Sequence, residues 1–287
     1  KTQGDRTRQT ILNYINNEVN KKSRSLLDVL KHGVEFDNGV SLTLMYRKPA
    51  TTFNQKAEAL YQQNVLSVME EVWHKEGERI DLVIFLNGIA IFTFELKCNT
   101  SGQNYEDAIR QYKFERDYKT RLLKFKAGCL AHFAMDLNEV YMCTNLKGKS
   151  SFFLPFNKGC GIGIHSGKGN PHNENGINVS YMWEDILKKD TVLYLIDKII
   201  FLQKETKKDP DTGKRVTKET LIFPRYHQFN AVRKLVADVV EHHSEKNYLI
   251  EHSAGSGKTN TIAWLAHRLA SLHLFLYTSD AADDLIG

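Results

Sequence analysis

Three charged side chains interrupt one of the most apolar stretches of the chain. Asp81 enters the run IDLVIF at 80–85, and Glu95 and Lys97 close the run IAIFTFELK at 89–97. Burying such charges is costly unless they hold something. Two carboxylates on one face can hold Mg²⁺, and a lysine beside them can orient or polarise water for attack on a phosphodiester. The plainer alternative is a surface hairpin whose charged ends are solvated.

Whether the three meet depends on the turn. The two runs are joined through Asn87-Gly88, a strong hairpin signal. A two-residue loop would set Asp81 opposite Phe94 and so on the face away from Glu95. A three-residue loop, Leu86-Asn87-Gly88 with Gly88 left-handed, would set Asp81 opposite Thr93. Side chains alternate along a strand, so Asp81, Thr93, Glu95 and Lys97 would then share a face. The three-residue, bulged loop is the expected one.

A second constellation lies near the other end. Residues 247–252 (NYLIEH) read as a buried strand, running into Ser253-Ala254-Gly255-Ser256-Gly257-Lys258-Thr259 and then into good helix formers through Leu272. Strand, glycine-rich turn, Lys-Thr and helix form the context that a phosphate-binding loop needs. Backbone N–H groups at Gly255, Ser256 and Gly257 would cradle ATP phosphates, Lys258 would reach the β and γ oxygens, and Thr259 would ligate Mg²⁺. His252 stands where the first glycine of that motif usually is. Upstream, Phe223-Pro224-Arg225-Tyr226-His227-Gln228 offers an aromatic to stack on a base and a glutamine, Gln228, to read its edge. Its alternative is an ordinary helix start.

These residues carry two resemblances. Asp81…Glu95-Leu96-Lys97 resembles the PD-(D/E)xK nuclease motif, with Ile80 where that family often has proline. Its usual Gln-x-x-x-Tyr element is matched by Gln111 but has Glu115 in the tyrosine position, which leaves the role of Tyr112 open. FPRYHQ resembles the Q-motif of superfamily 2 helicases. Taken with FNKG (Phe156 to Gly159), GNP (Gly169 to Pro171) and HSAGSGKT, the order of motifs over about 54–273 resembles the restriction subunit of type I restriction-modification enzymes.

The resemblance implies a Mg²⁺-dependent endonuclease coupled to ATP-driven translocation of double-stranded DNA. It implies catalytic roles for Asp81, Glu95, Lys97 and Gln111, with the metal on Asp81 and Glu95. It also implies methyltransferase and specificity subunits as partners, with S-adenosylmethionine held only by the methyltransferase. The alternatives are a helicase-nuclease of another defence or repair system, or a DNA-binding motor scaffold whose nuclease fold is inactive.

The elements that must position these groups point to an α/β protein. Hydrophobic residues make up 41% and charged residues 25% of the 287, which excludes a disordered chain. The net charge of +5 permits a nucleic-acid partner without requiring one. Cys98, Cys129, Cys143 and Cys160 show no C-x-x-C spacing, so thiols in a reducing, cytoplasmic setting are expected. No apolar run approaches the ~20 residues of a membrane span.

In chain order the expectations are a peripheral helix within 1–24, a strand near 40–44 and a helix over 55–75, with Glu58 a solvated carboxylate. After the hairpin comes a helix through Tyr105, Ala108, Ile109 and Tyr112, capped by Thr100 or Ser101. Arg110, Lys113, Arg116, Lys119, Arg121, Lys124 and Lys126 give that region a basic character suited to phosphates. Strands are expected at 130–135, 139–144 and 152–156, then a long glycine-rich loop over 157–178 and two helices over 181–203. Gly163 to Lys168 fails as a phosphate loop, because no Ser or Thr follows Lys168 and Pro171 blocks a helix start.

The fold expected is thus a PD-(D/E)xK nuclease-like mixed sheet flanked by helices over 1–203, followed by a truncated RecA-like P-loop lobe. A charged linker spans 204–220, the start of the motor 221–275, and a non-native tail 276–287, since LYTSDAADD resembles translated adapter sequence.

Overall fold

The computed structural model describes residues 3–36, 39–49, 53–160, 168–208, 213–242 and 247–283, with side chains described from 7 to 272. The chain divides into two compact units, Lys1–Phe223 and Pro224–Gly287.

The first unit opens with α1 (Gln3–Asn20) and α2 (Leu26–His32), the latter capped by the Ser25 side chain on Asp28 N–H. A short pair, β1 (Val34–Glu35) and β2 (Ser41–Leu42), follows, then α3 (Gln55–Gln62). The helix expected over 55–75 therefore stops at Gln62, and β3 (Leu66–Lys75) takes the rest. Buried Asn64 explains the break. Its amide bonds the carbonyls of Tyr46 and Tyr61, while Val65 N–H donates to Asn87 Oδ1 at the hairpin turn. That tie starts an antiparallel pairing with β4 from Leu66↔Leu86 to Lys75↔Glu78, and pairing overrides the helical spacing of the valines.

β4 (Glu78–Leu86) and β5 (Ile89–Leu96) form the expected hairpin. Next come α4 (Tyr105–Phe114), β6 (Ala131–Met135), β7 (Val140–Cys143) and β8 (Leu154–Pro155). The cap of α4 is Asn104, in a reciprocal capping box with Asp107, whereas the expected caps Thr100 and Ser101 lie in a separate turn of 3-10 helix. The sheet order is β3-β4-β5-β6-β7-β8, mixed because β5 and β6 run parallel while the other neighbours are antiparallel. The α4 crossover makes that parallel step possible.

β5 is buried on both faces, as its apolar run requires. Phe92 packs edge-on to Phe133 and Phe223, and Phe94 stacks on Phe133 with ring centres 4.8 Å apart. On the other face Thr93 and Glu95 look toward α4, where Ala108 and Tyr112 are wholly buried.

The loop over 157–178 is tied by its own motifs. Asn157 Oδ1 accepts from Val140 N–H and from Asn170 Nδ2, and Asn170 Oδ1 accepts from Lys158 N–H. FNKG and GNP thus clamp each other, although Gly163 and His165 lie outside the described residues. The two helices expected over 181–203 are α5 (Lys189–Tyr194) between two π-helical turns, Met182–Ile186 and Leu195–Ile199. Leu193, Ile196, Ile199 and Ile200 are all buried. Asp190 Oδ1 accepts from the Tyr61 hydroxyl at 2.7 Å.

The stretch expected as a charged linker is instead a ribbon, β9 (Phe201–Lys208) paired with β10 (Arg215–Ile222) from Phe201↔Ile222 to Lys208↔Arg215. Its charges are compatible with strands because both faces of a two-stranded ribbon reach water; Pro210, Asp211 and Thr212 lie outside the described residues.

In the second unit α6 (Tyr226–His242) and α7 (Lys258–Asp283) flank the glycine-rich loop. Residues 247–252 do not form the expected strand; Leu249 is 88% exposed. Among the described residues no strand of this unit pairs with them, and an unpaired strand leaves its backbone groups unsatisfied. The backbone of 276–283 continues α7.

Candidate functional site

The hairpin turn is not the expected one, yet the expected face survives. Leu86 pairs with Ile89 across a two-residue loop, with Asn87 at φ 50° and Gly88 at φ 80°, as a primed turn requires. The bulge lies two residues further on. Phe85 pairs with Ala90 but Ile84 pairs with Phe92, so Ile91 is the extra residue. Beyond it Leu82 faces Phe94, and the register therefore sets Asp81 next to Glu95 rather than Thr93. An extra residue in the strand restores the parity that a longer loop would have supplied.

Asp81 is half-buried, and its Oδ2 accepts the Leu96 N–H at 2.7 Å, which fixes it at the strand end. Glu95 is wholly buried. Lys97, just past β5, donates through Nζ to Gln111 Oε1 at 2.5 Å, so α4 delivers Gln111 to the end of the hairpin. All four residues expected to do chemistry are gathered at one end of the β4–β5 pair.

Arg116 completes the group. Its Nε donates to Glu95 Oε1 at 2.7 Å and its Nη2 to Oε2 at 3.3 Å. Burial pushes the Glu95 carboxyl up to about 8, against the pull of Arg116 and Lys97, with Asp81 adding to the rise. The sequence showed Arg116 only as one of seven basic residues; its sole distinguishing mark is its place five residues after Gln111, beyond the helix end. Of the others, Lys126 pairs with Glu219, while Lys119, Arg121 and Lys124 remain exposed.

Behind the carboxylates lies a buried chain. Thr93 Oγ1 is 2.8 Å from the Tyr112 hydroxyl and 2.8 Å from His132 Nδ1. Tyr112 therefore braces β5 from within instead of reaching the carboxylates. His132 sits beside Thr93 in the parallel register, a position that only the β5–β6 alignment reveals.

The donor set suits Mg²⁺, which binds through one or two carboxylates and keeps several waters. Among the described residues no group of three or more His, Cys, Asp or Glu side chains gathers as a fuller cage. Both Glu95 oxygens already accept from Arg116, so a metal ion there competes with that guanidinium.

In the second unit Gly255 and Gly257 are left-handed at φ 71° and 82°, and α7 begins at Lys258. Backbone N–H groups at a helix start are the usual cradle for phosphate. Lys258 Nζ folds back onto the carbonyls of His252 and Ser253 at 2.9 and 3.3 Å. Gln228 reaches the same loop: Nε2 bonds the carbonyls of Ser256 and Gly257, and Oε1 accepts from Arg225 N–H. Ser256 is buried while Thr259 is exposed at the helix start.

Comparison with known proteins agrees with both ends of the chain. Residues 4–151 match the family described as Type I restriction enzyme R protein N terminus (HSDR_N). Residues 221–280 match the family described as Type III restriction enzyme, res subunit. Over 273 residues the chain is 28% identical to a Methanocaldococcus jannaschii protein named, provisionally, as the endonuclease subunit of type I restriction enzyme MjaVIIIP. The alignment covers 88% of this chain and 23% of that protein, so the chain spans under a quarter of its relative's length.

Proposed function

The chain belongs to the type I restriction enzyme R protein N-terminus family, and we propose that it carries the DNA-cutting site of a restriction subunit with the opening segment of its ATP-driven motor. The observation that carries this is the bulge at Ile91, which brings Asp81 beside Glu95 with Lys97 and Gln111 at the same strand ends. In this reading the first unit is a PD-(D/E)xK nuclease and the second begins a RecA-like lobe.

Asp81 and Glu95 would hold Mg²⁺, which supplies charge neutralisation at the scissile phosphodiester. Leu96 N–H holds Asp81 in place, and Gln111 holds the Lys97 ammonium toward the site. There Lys97 can orient an attacking water. Lys119, Arg121 and Lys124 offer exposed charge to the DNA backbone. Gly255, Ser256, Gly257, Lys258 and Thr259 would hold ATP phosphates, with Gln228 as the link between base recognition and the loop. Double-stranded DNA is the substrate, and the methyltransferase and specificity subunits of a type I complex are the partners. Any S-adenosylmethionine belongs to the methyltransferase. No described helix is long and apolar enough to cross a membrane.

The test uses the complete restriction complex. Asp81→Ala or Glu95→Ala abolishes DNA cleavage and leaves ATP turnover in place, whereas Lys258→Ala stops translocation and cleavage together. Cutting by both carboxylate variants at the parental rate would overturn the assignment. One observation favours a rival, an inactive nuclease fold on a DNA-binding scaffold: Glu95 is already engaged by Arg116.

A further inference from the structure

A buried carboxylate needs a partner, and Glu95 has a single one that takes both of its oxygens. Arg116 stands outside α4, whose last residue is Phe114, so no helix backbone pins it in place. Its side chain is 10% exposed while that of Glu95 is sealed, so Arg116 is the member of the pair that reaches solvent. Carboxylate oxygens gripped bidentately by a guanidinium face strong repulsion if a divalent ion also approaches them.

We propose that Arg116 is a resident counter-ion, which holds Glu95 until a divalent cation takes that carboxylate over, and whose guanidinium then turns to a DNA phosphate. The proposal rests on reading Asp81 and Glu95 as metal ligands.

The surroundings say where the released group goes. Two other carboxylates share its neighbourhood around His74, namely Glu78 and Asp117. Both are occupied: Lys75 Nζ lies 2.9 Å from Glu78 and 3.3 Å from Asp117, and Glu78 also accepts the Asp117 N–H. Neither of the two is free to take the fork. The segment that follows Arg116 carries exposed Lys119, Arg121 and Lys124, charges on which a phosphodiester can dock. A planar fork grips phosphate as well as it grips carboxylate, which a lysine does not. The exchange also keeps both oxygens of the buried Glu95 carboxyl hydrogen-bonded before metal arrives.

The experiment is a Mg²⁺ titration of the 287-residue chain labelled with ¹⁵N-arginine, followed by calorimetry and by the Arg116 Nε–Hε resonance. That resonance is assigned by its absence in Arg116→Lys. Supporting the proposal, Mg²⁺ binds with a heat that Glu95→Gln abolishes, and the resonance leaves its hydrogen-bonded position with the same midpoint. Arg116→Lys, keeping the charge but giving up the two-point grip, binds Mg²⁺ roughly three- to tenfold more tightly. A resonance that stays in place while Mg²⁺ binds through Glu95, or weaker binding by Arg116→Lys, overturns the handover and makes Arg116 a fixed orienting group. Absence of any heat in the parent chain overturns the metal reading itself, and the proposal with it.

Discussion

The hydroxyls of Thr93 and Tyr112 meet at 2.8 Å inside the protein, and neither residue is exposed to solvent. This contact joins the central strand to the helix that brings Gln111 to Lys97. Tyr112→Phe leaves Thr93 bonded to His132 alone and costs about 1–2 kcal/mol, the loss expected for a buried hydrogen bond. Tyr112→Ala also opens a cavity and costs about 3–5 kcal/mol. Denaturant midpoints at constant slope measure both. A Phe variant as stable as the parent would show that the hydroxyl contributes nothing to the brace.

His132, on the other side of Thr93, makes stability depend on acid. Burial pushes its pKa down to about 3, so the folded chain keeps it neutral. The unfolded chain binds that proton below about 6.5. The contribution of His132 is therefore level above pH 6.5 and becomes destabilising as pH falls from 6.5 toward 3, by up to about 1.4 kcal/mol per unit. His132→Asn keeps a hydrogen-bonding group without a titration in this window. The difference between parent and variant, followed by denaturation at stepped pH, should grow along that limb and vanish above it. Parallel curves would remove His132 as the source.

The hairpin shows what the sequence could and could not say. Asn87-Gly88 and two apolar runs were enough for a hairpin but not for its turn: the loop has two residues where three were expected, and the shared face of Asp81 and Glu95 comes from the bulge instead. The position of the bulge was not legible, because Ile91 differs in no property from its neighbours and is expelled from register only by the pairing around it. The same limit explains β3, whose valines at helical spacing became a strand once β4 lay beside them. It explains Arg116 too: its type and spacing suit a solvated helix face, and only the packing of the chain after α4 turns it onto Glu95. At residues 247–252 the apolar run was legible as strand-like, but a strand is a property of a pair.

The Glu95–Arg116 pair makes a quantitative prediction of its own. Above pH 8, where Glu95 is ionised, removing either partner strips the other of its counter-charge, so Glu95→Leu and Arg116→Met each cost about 3–5 kcal/mol there. Together they remove both charges and replace them with apolar volume, and the double variant should recover most of that loss. A thermodynamic cycle from urea unfolding gives the coupling. If the two single effects simply add, the pair is not the closed unit that its geometry describes.

The glycines of the nucleotide loop differ in what surrounds them. Both Gly255 and Gly257 are left-handed, so alanine at either place strains the backbone by about 1–2 kcal/mol. At Gly255 an added methyl group would meet nothing within 4 Å. At Gly257 it would sit 2.4 Å from Gln228 Nε2, the atom that donates to Ser256 and Gly257. The side chain of Gln228 would have to withdraw, and with it the hydrogen bonds that hold the loop to the start of α6. Gly257→Ala should therefore disturb the loop more than Gly255→Ala does, by roughly the 1 kcal/mol of a lost hydrogen bond or more. Amide hydrogen exchange at Ser256 through Thr259 reads this directly, with faster exchange expected in Gly257→Ala. Pairing Gly257→Ala with Gln228→Ala is the decisive comparison: once Gln228 is shortened the clash is gone, and only the backbone strain shared with Gly255→Ala should remain. An undiminished gap between the two glycine variants in that background would mean that Gln228 is not what makes Gly257 special.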